Sequence, residues 1–452
     1  MRILFIVLLS VIYSCQGVSQ TMEGRWKGDL EASGKKIPLL FAISKENNWT
    51  VKMKSPSQAQ MDFNMDSVSV NGDSIFIKSS ALGLSFAGKL QESGEAIVGK
   101  YSQRGFTAPL TLTRYEGEKA ERRTQQPMNP LPYESKQVAF TNDRDEVRLA
   151  GTMTQPAQPG KYPAVILVSG SGPQNRNSEV FGHKPFEVIA DYLTRKGIVV
   201  LRYDDRGVAE STGSFVKSNI GDFSRDAMAA LSFIKRQDKV DSTRLGIIGH
   251  SEGGLISLLL AGQHIPDLKF AVSLAGPSVA IDSLMVLQLY HVGKSQGMSE
   301  ADLSQARTIN RKNFEIVKSE IPAPEALNQL MKNTGALTGT SEELRKEFQV
   351  MVLEPYRYFL RIDPVPFIRR INIPLLAVFG EKDIQVPAIE NQASLSANLP
   401  ANAQSRIKTY PSLNHLMQPA KTGALDEYYE IETTIEPQLL EDISKWILGM
   451  KN

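Results

Sequence analysis

Five predominantly apolar runs, the first of them continuous and all separated by segments of helical periodicity, constrain this chain more than any other feature. They lie at 164–168, 198–203, 245–248, 270–274 and 375–379. A strand with one wet face alternates apolar and polar residues, whereas a run apolar at every position is covered on both faces. Helical patterns at 186–195, 223–235 and 255–261 fall between the runs. This alternation predicts a doubly wound, mostly parallel sheet. Residues 138–140 and 147–154 read as two opening strands and 406–410 as a more polar last one. The rhythm breaks once. Between Ala275 and Pro374 the pattern is helical, with Ile281, Leu284, Met285 and Leu289 marking one face and Phe348 and Val352 another. The expectation is an α/β domain over 134–452 with a helical lid inserted at 277–372.

The chain before it has a different period. In 22–114, Ile37, Leu39, Phe41 and Ile43 alternate, as do Trp49, Val51 and Met53, then Ile75 and Ile77. Pairs at 84–86 and 110–112 continue the pattern, and Asn71-Gly72-Asp73 and Glu92-Ser93-Gly94 supply turns. About eight short antiparallel strands are expected, forming a small all-β barrel or sandwich with one wet face. Gly24-Arg25-Trp26 resembles the opening of lipocalin-like barrels, and Trp26 reads equally as an ordinary core residue. Residues 115–133, charged and then proline-rich, read as a linker that does not bury enough apolar surface to order itself.

The beginning of the chain is read apart from the fold. Arg2 precedes an apolar run at 3–12, too short for a ~20-residue membrane span, and small and polar residues follow. The pattern matches a secretory signal peptide over 1–19, with cleavage after Ser19. The rival reading makes Cys15 a lipidated first residue. The expected location is periplasmic or secreted, with a lipid anchor on Cys15 as the alternative, and no membrane span is expected elsewhere. Cys15 is the single cysteine, so neither an internal disulfide nor a cysteine zinc site is available. Lys plus Arg number 51 against 49 Asp plus Glu, and that balance gives no pull toward nucleic acid or anionic membrane. No metal and no cofactor are expected.

The chemistry is concentrated in Gly249-His250-Ser251-Glu252-Gly253. It follows an apolar strand and precedes a helix, the context of a nucleophile elbow. A serine in so sharp a turn needs neighbours without Cβ, and the following helix adds a positive field at the hydroxyl. A serine hydroxyl also needs a base. The histidines are His183, His250, His264, His291 and His415. Asp383 stands just past the strand at 375–379, placed to orient an imidazole, with Glu381 as the reserve acid. His415 follows the last strand. His250 sits inside the elbow as a packed neighbour, His264 and His291 read as surface or lid residues, and His183 as a candidate pocket residue. Ser169-Gly170-Ser171-Gly172-Pro173 can bring backbone N–H groups to a reacting carbonyl; a dinucleotide site is excluded because no third glycine opens a helix there. The expected oxyanion donors are the N–H of Glu252 and that of Ser171. Arg206, in Tyr203-Asp204-Asp205-Arg206-Gly207, reads as an ion-paired loop residue ahead of a substrate-binding one.

These motifs, with Gly380-Glu381-Lys382-Asp383 and Asn414-His415, resemble the α/β-hydrolase superfamily. More narrowly, they resemble bacterial carboxylesterases of the serine aminopeptidase, or S33-like, group. The resemblance covers about 134–450. It implies the chain order serine, acid, histidine, which leaves His415 as the base, and a cap between the sixth and seventh strands. Relatives carry His where Ser169 stands, which weakens the Ser171 assignment.

The combined expectation is an exported serine hydrolase that cleaves small carboxylic esters through Ser251, His415 and Asp383. The alternative is a peptidase of the same fold, with a lid carboxylate such as Glu300, Glu315 or Glu354 holding an amino group. The third reading is a ligand-binding protein on an inactive scaffold. The expected partner is a small-molecule ester, with no nucleic acid.

Overall fold

The computed structural model describes residues 21–450 apart from 33–34, 46–47, 56–62, 81, 104–105, 116–122 and 339–341. The signal-peptide reading, Cys15 and the charged part of the linker lie outside the described residues. The chain divides into two compact units, 1–121 and 122–452.

The first unit is one curled antiparallel sheet. Its strands are Gly24–Ala32 (β1), Lys35–Lys45 (β2), Trp49–Lys54 (β3), Phe63–Asn64 (β4), Ser67–Asn71 (β5), Ser74–Ser79 (β6), Leu84–Leu90 (β7), Ala96–Gln103 (β8) and Phe106–Arg114 (β9). The order is β4-β3-β2-β1-β9-β8-β7-β6-β5. The two ends of that order are consecutive in the chain. Met65 N–H donates to Val51 O of β3 (3.0 Å) and Asp66 N–H to Lys78 O of β6 (2.9 Å), so the curl closes through two residues. The nine strands are therefore eight in effect, β4 and β5 being one strand bent where it changes neighbours. The alternating residues point inward: Trp26, Phe41, Phe86 and Ile77 are wholly enclosed. Trp26 Nε1–H donates to Met22 O (3.0 Å), satisfying the one polar atom it takes inside.

The second unit carries Tyr133–Asn142 (β10), Val147–Pro156 (β11), Tyr162–Val168 (β12), Pro185–Arg195 (α1), Val199–Tyr203 (β13), Ile220–Lys235 (α2), Val240–His250 (β14), Glu252–Gly262 (α3) and Phe270–Leu274 (β15). Six helices follow: Ile281–Ser295 (α4), Glu300–Lys318 (α5), Ala323–Thr338 (α6), Glu342–Met351 (α7), Glu354–Leu360 (α8) and Val365–Ile368 (α9). The unit ends with Leu375–Gly380 (β16), Ala388–Asn398 (α10), Arg406–Tyr410 (β17) and Pro437–Gly449 (α11). The sheet order is β10-β11-β13-β12-β14-β15-β16-β17. β11 is antiparallel to both β10 and β13, and the remaining pairs are parallel.

The apolar runs have the expected cause. In β12, Ala164, Ile166 and Val168 enter one core and Val165 and Leu167 the opposite one. One strand thus feeds two cores, and no position is left for a polar side chain. α3 is apolar nearly all round and is buried from Gly253 to Gly262, as a helix without a wet face must be. α2 starts where Asn219 and Asp222 cap each other's backbone N–H groups.

Two expectations need correction. Leu289 does not join the buried face of α4; it is exposed, and Val286 is buried in its stead beside Ile281 and Leu284. The proline-rich stretch is also not a free linker from residue 123 on. Gln125 Nε2–H donates to Ile435 O (2.7 Å), and its Oε1 accepts from the N–H groups of Thr434 and Ile435 at 2.7 and 3.0 Å. One amide satisfies three backbone groups, which fixes a segment that has little apolar surface of its own.

Candidate active site

Ser251 stands alone between β14 and α3, with φ 55° and ψ −116°. That conformation costs a non-glycine residue ~1–3 kcal/mol, so the surroundings must impose it. Ser251 N–H donates to Leu274 O (2.9 Å), and Ser251 O accepts from Leu255 N–H (3.0 Å). The flanking glycines are required by backbone walls. A Cβ at Gly249 would lie 1.9 Å from Gly253 O, one at Gly253 2.1 Å from Val168 O, and one at Gly254 2.7 Å from the Cα of Gly276. None of these atoms belongs to a side chain that can swing away.

The residues expected to act together converge from three separate loops. His415 Nε2 lies 2.9 Å from Ser251 Oγ, and His415 Nδ1 lies 2.8 Å from Asp383 Oδ2. Asp383 follows β16, and its other oxygen accepts from the N–H groups of Gln385 and Val386, both at 2.8 Å. His415 rides a turn after β17. Asn414, wholly buried, pins that turn: its Oδ1 accepts from Leu416 and Gln418 N–H (both 3.0 Å) and its Nδ2 donates to Gln418 Oε1 (2.9 Å). The sequence marks Asn414 only as a neighbour of the histidine. Glu381 does not approach the imidazole; its carboxylate accepts from Ser412 N–H (3.4 Å).

His250 has a role that nothing in its residue type announces. Its Nε2–H donates to the backbone carbonyl of His415 (2.7 Å), and the two rings lie 4.9 Å apart. Burial, helped by the adjacent His415, lowers its pKa to about 4. It is a neutral tether, not a base. His183 does not line a pocket: it is fully buried, with Nδ1 against Thr434 Oγ1 (2.9 Å) and Nε2–H donating to Tyr428 O (3.1 Å). His264 is exposed past the end of α3, and His291 is half-buried on α4.

Glu252 opens α3, so its N–H lies at the positive end of a helix. Its side chain is partly enclosed, and desolvation raises the carboxyl to about 7. The 169–174 loop runs against Ser251: a Cβ at Gly170 would meet Ser251 Cβ at 3.2 Å. Ser171 is exposed on that loop. Arg206 is spent on the fold. It donates to Asp226 through Nε (2.6 Å) and Nη2 (2.7 Å), and to Asp145 through Nη2 (2.7 Å). On the lid, Glu300 is bound to Tyr290 and Lys294, and Glu354 to Arg361. Among the described residues, no group of three His, Cys, Asp or Glu could hold a metal ion, and no helix is long and apolar enough to cross a membrane.

The strand order, the elbow and the insertion between β15 and β16 define a class of protein. The chain has the α/β-hydrolase fold. Within it, the profile described as serine aminopeptidase, S33 matches residues 183–319. Esterase EstD of Thermotoga maritima is 26% identical over 324 residues, 71% of this chain and 69% of that protein. Dipeptidyl-peptidase 5 of Porphyromonas gingivalis is 24% identical over 266 residues, 57% of this chain but only 31% of that protein. Among solved structures, Est1E from Butyrivibrio proteoclasticus with ferulic acid bound is 18% identical, with a TM-score of 0.43 over 69% of this chain and 98% of that one.

Proposed function

We propose that this chain is an exported serine hydrolase that cleaves carboxylic esters of small acyl groups through an acyl-enzyme. The observation that carries the reading is the Ser251–His415–Asp383 chain of hydrogen bonds at 2.9 and 2.8 Å. Ser251 Oγ attacks the ester carbonyl while His415 Nε2 takes its proton, and the imidazolium then protonates the departing alkoxide. Water repeats the sequence on the acyl-enzyme, releasing the acid and restoring Ser251. Asp383 keeps the Nδ1–H tautomer and faces the positive charge that forms on the ring. The N–H groups of Glu252 and Ser171 are the donors assigned to the oxyanion. EstD speaks for ester substrates. The 1–19 segment supports export.

The match to dipeptidyl-peptidase 5 keeps peptide cleavage as the second reading. Two of its candidate amine-holding carboxylates, Glu300 and Glu354, already have cationic partners. Intact mass after a fluorophosphonate probe, with Ser251→Ala beside wild type, tests the nucleophile. One adduct on wild type and none on the variant is expected, with ester turnover falling by several orders of magnitude in the variant. Full ester turnover by Ser251→Ala ends the proposal. Faster cleavage of aminoacyl amides than of esters moves the assignment to peptidase.

A further inference from the structure

Asp205 is buried just past the end of β13, in a motif whose arginine serves the fold. Its two carboxylate oxygens take one donor each. Oδ1 accepts from Ser169 Oγ–H (2.6 Å) and Oδ2 from Gln174 N–H (2.9 Å). Asp205 N–H in turn donates to Gln174 O (3.1 Å). Ser169 and Gln174 are the two ends of the loop Gly170-Ser171-Gly172-Pro173, which passes Ser251. One residue therefore closes both ends of that loop and ties them to the neighbouring strand.

The neighbouring arginines go elsewhere. Arg176 donates to Asp204 (3.0 Å through Nε), and Arg206 to Asp226 and Asp145. Asp205 also shares a small enclosed space with Glu252, Gly170, Tyr203 and Asp226. Burial, together with the like charges of Glu252 and Asp226, lifts its carboxyl to about 7. A buried carboxylate without a cation is an expensive choice for a structural post. The geometry explains it. Two donors converge from opposite ends of a loop, and each meets its own carboxylate oxygen. A carboxylate has two, whereas an amide has one.

We propose that Asp205 is a positioning residue for the oxyanion loop: its carboxylate fixes both ends of the Ser169–Gln174 segment and so sets where the loop's N–H groups stand relative to Ser251. The proposal rests on Ser251 being the nucleophile. It concerns transition-state geometry, so the readout must separate a displaced donor from a damaged fold.

An ester and its thionoester serve. Sulfur is a poor hydrogen-bond acceptor on a longer bond, so a working oxyanion site favours the oxygen substrate. The assay measures kcat and KM for both substrates with wild type, Asp205→Asn and Ser169→Ala, each normalised to probe-titrated sites, and turnover of Ser251→Ala per total protein. Asp205→Asn removes the charge and keeps one acceptor oxygen, so the link to one end of the loop must change its donor and acceptor roles. Its kcat on the oxygen ester is expected to fall ~10–100-fold, as for a small misplacement of catalytic groups. KM should hold within about threefold, and the oxygen-to-sulfur ratio should fall with kcat. Ser169→Ala, which frees one end, should show the same pattern, weaker. Equal losses on both substrates, or an unchanged ratio in both variants, would overturn the proposal. If Asp205→Asn does not fold, the ratio in Ser169→Ala decides. Ester turnover by Ser251→Ala would instead remove the nucleophile on which the proposal stands.

Discussion

Replacing Glu252 by glutamine should stabilise the second unit above about pH 4.5, and fully above neutral pH. Desolvation holds this carboxyl at about 7, against an ordinary 4.5. In the window between those values the folded chain keeps a proton that the unfolded chain has released. Stability therefore falls as pH rises through the window, and the penalty is complete above pH 7. At ~1.4 kcal/mol per pKa unit the ceiling is ~3 kcal/mol. The side chain retains a partial opening to solvent, which brings the expected gain for Glu252→Gln at pH 8 to ~1–2 kcal/mol. Loss of the Glu252 charge also eases ionisation of Asp205, which acts in the same direction. Thermal melts of both proteins at pH 8 and pH 4.5 test this. The variant should melt ~2–6 °C higher at pH 8 and level with wild type at pH 4.5. A variant no more stable than wild type at pH 8, or one shifted equally at both pH values, refutes the reasoning.

Other perturbations follow from the same contacts. Gly249→Ala places a methyl 1.9 Å from Gly253 O and should cost at least the ~3 kcal/mol upper end of overpacking, seen as loss of folded protein on a urea gradient. Arg206→Ala leaves the buried Asp226 carboxylate without its cation, holding only Asn142 Nδ2–H, while Asp145 keeps Arg225; a loss of ~3–5 kcal/mol is expected in denaturant unfolding, with partial recovery in Arg206→Lys. Asn414→Ala deprives Leu416 and Gln418 N–H of their shared acceptor. It should cost ~1–3 kcal/mol and lower kcat more than it raises KM, because the turn it loosens carries His415.

What the sequence made legible is what side chains determine. The five apolar runs become strands because each feeds two cores, and the polar residues among them, Arg202 and Ser273, are buried with hydrogen-bond partners. Ser251, Asp383 and His415 were readable because each follows a strand end, where short loops must come together above one sheet edge. Main-chain geometry left no such mark. Nothing in a histidine at 250 states that it will donate to the carbonyl of His415, and nothing in Asp205 reveals that two donors from one loop will meet it. Gln125 was hidden for the same reason: its segment looks unable to order itself until the backbone groups at 434–435 are in view. Leu289 misled because helical spacing reports a face only where a neighbour covers it. The bend between β4 and β5 escaped because a strand that changes partners keeps its alternation.

The elbow grips His415 twice, by its side chain through Ser251 Oγ and by its main chain through His250 Nε2, across sequence separations of 164 and 165 residues. Contacts that close so long a loop come late in folding, because the entropy of closure must be met before they are rewarded. No fragment ending before residue 415 holds both partners, and on the proposed mechanism a chain with an open His415 turn has an elbow but no base. Turnover is then a reporter of completed assembly: recovered activity should trail the return of helical signal during refolding and coincide with the slowest burial of tyrosine and tryptophan.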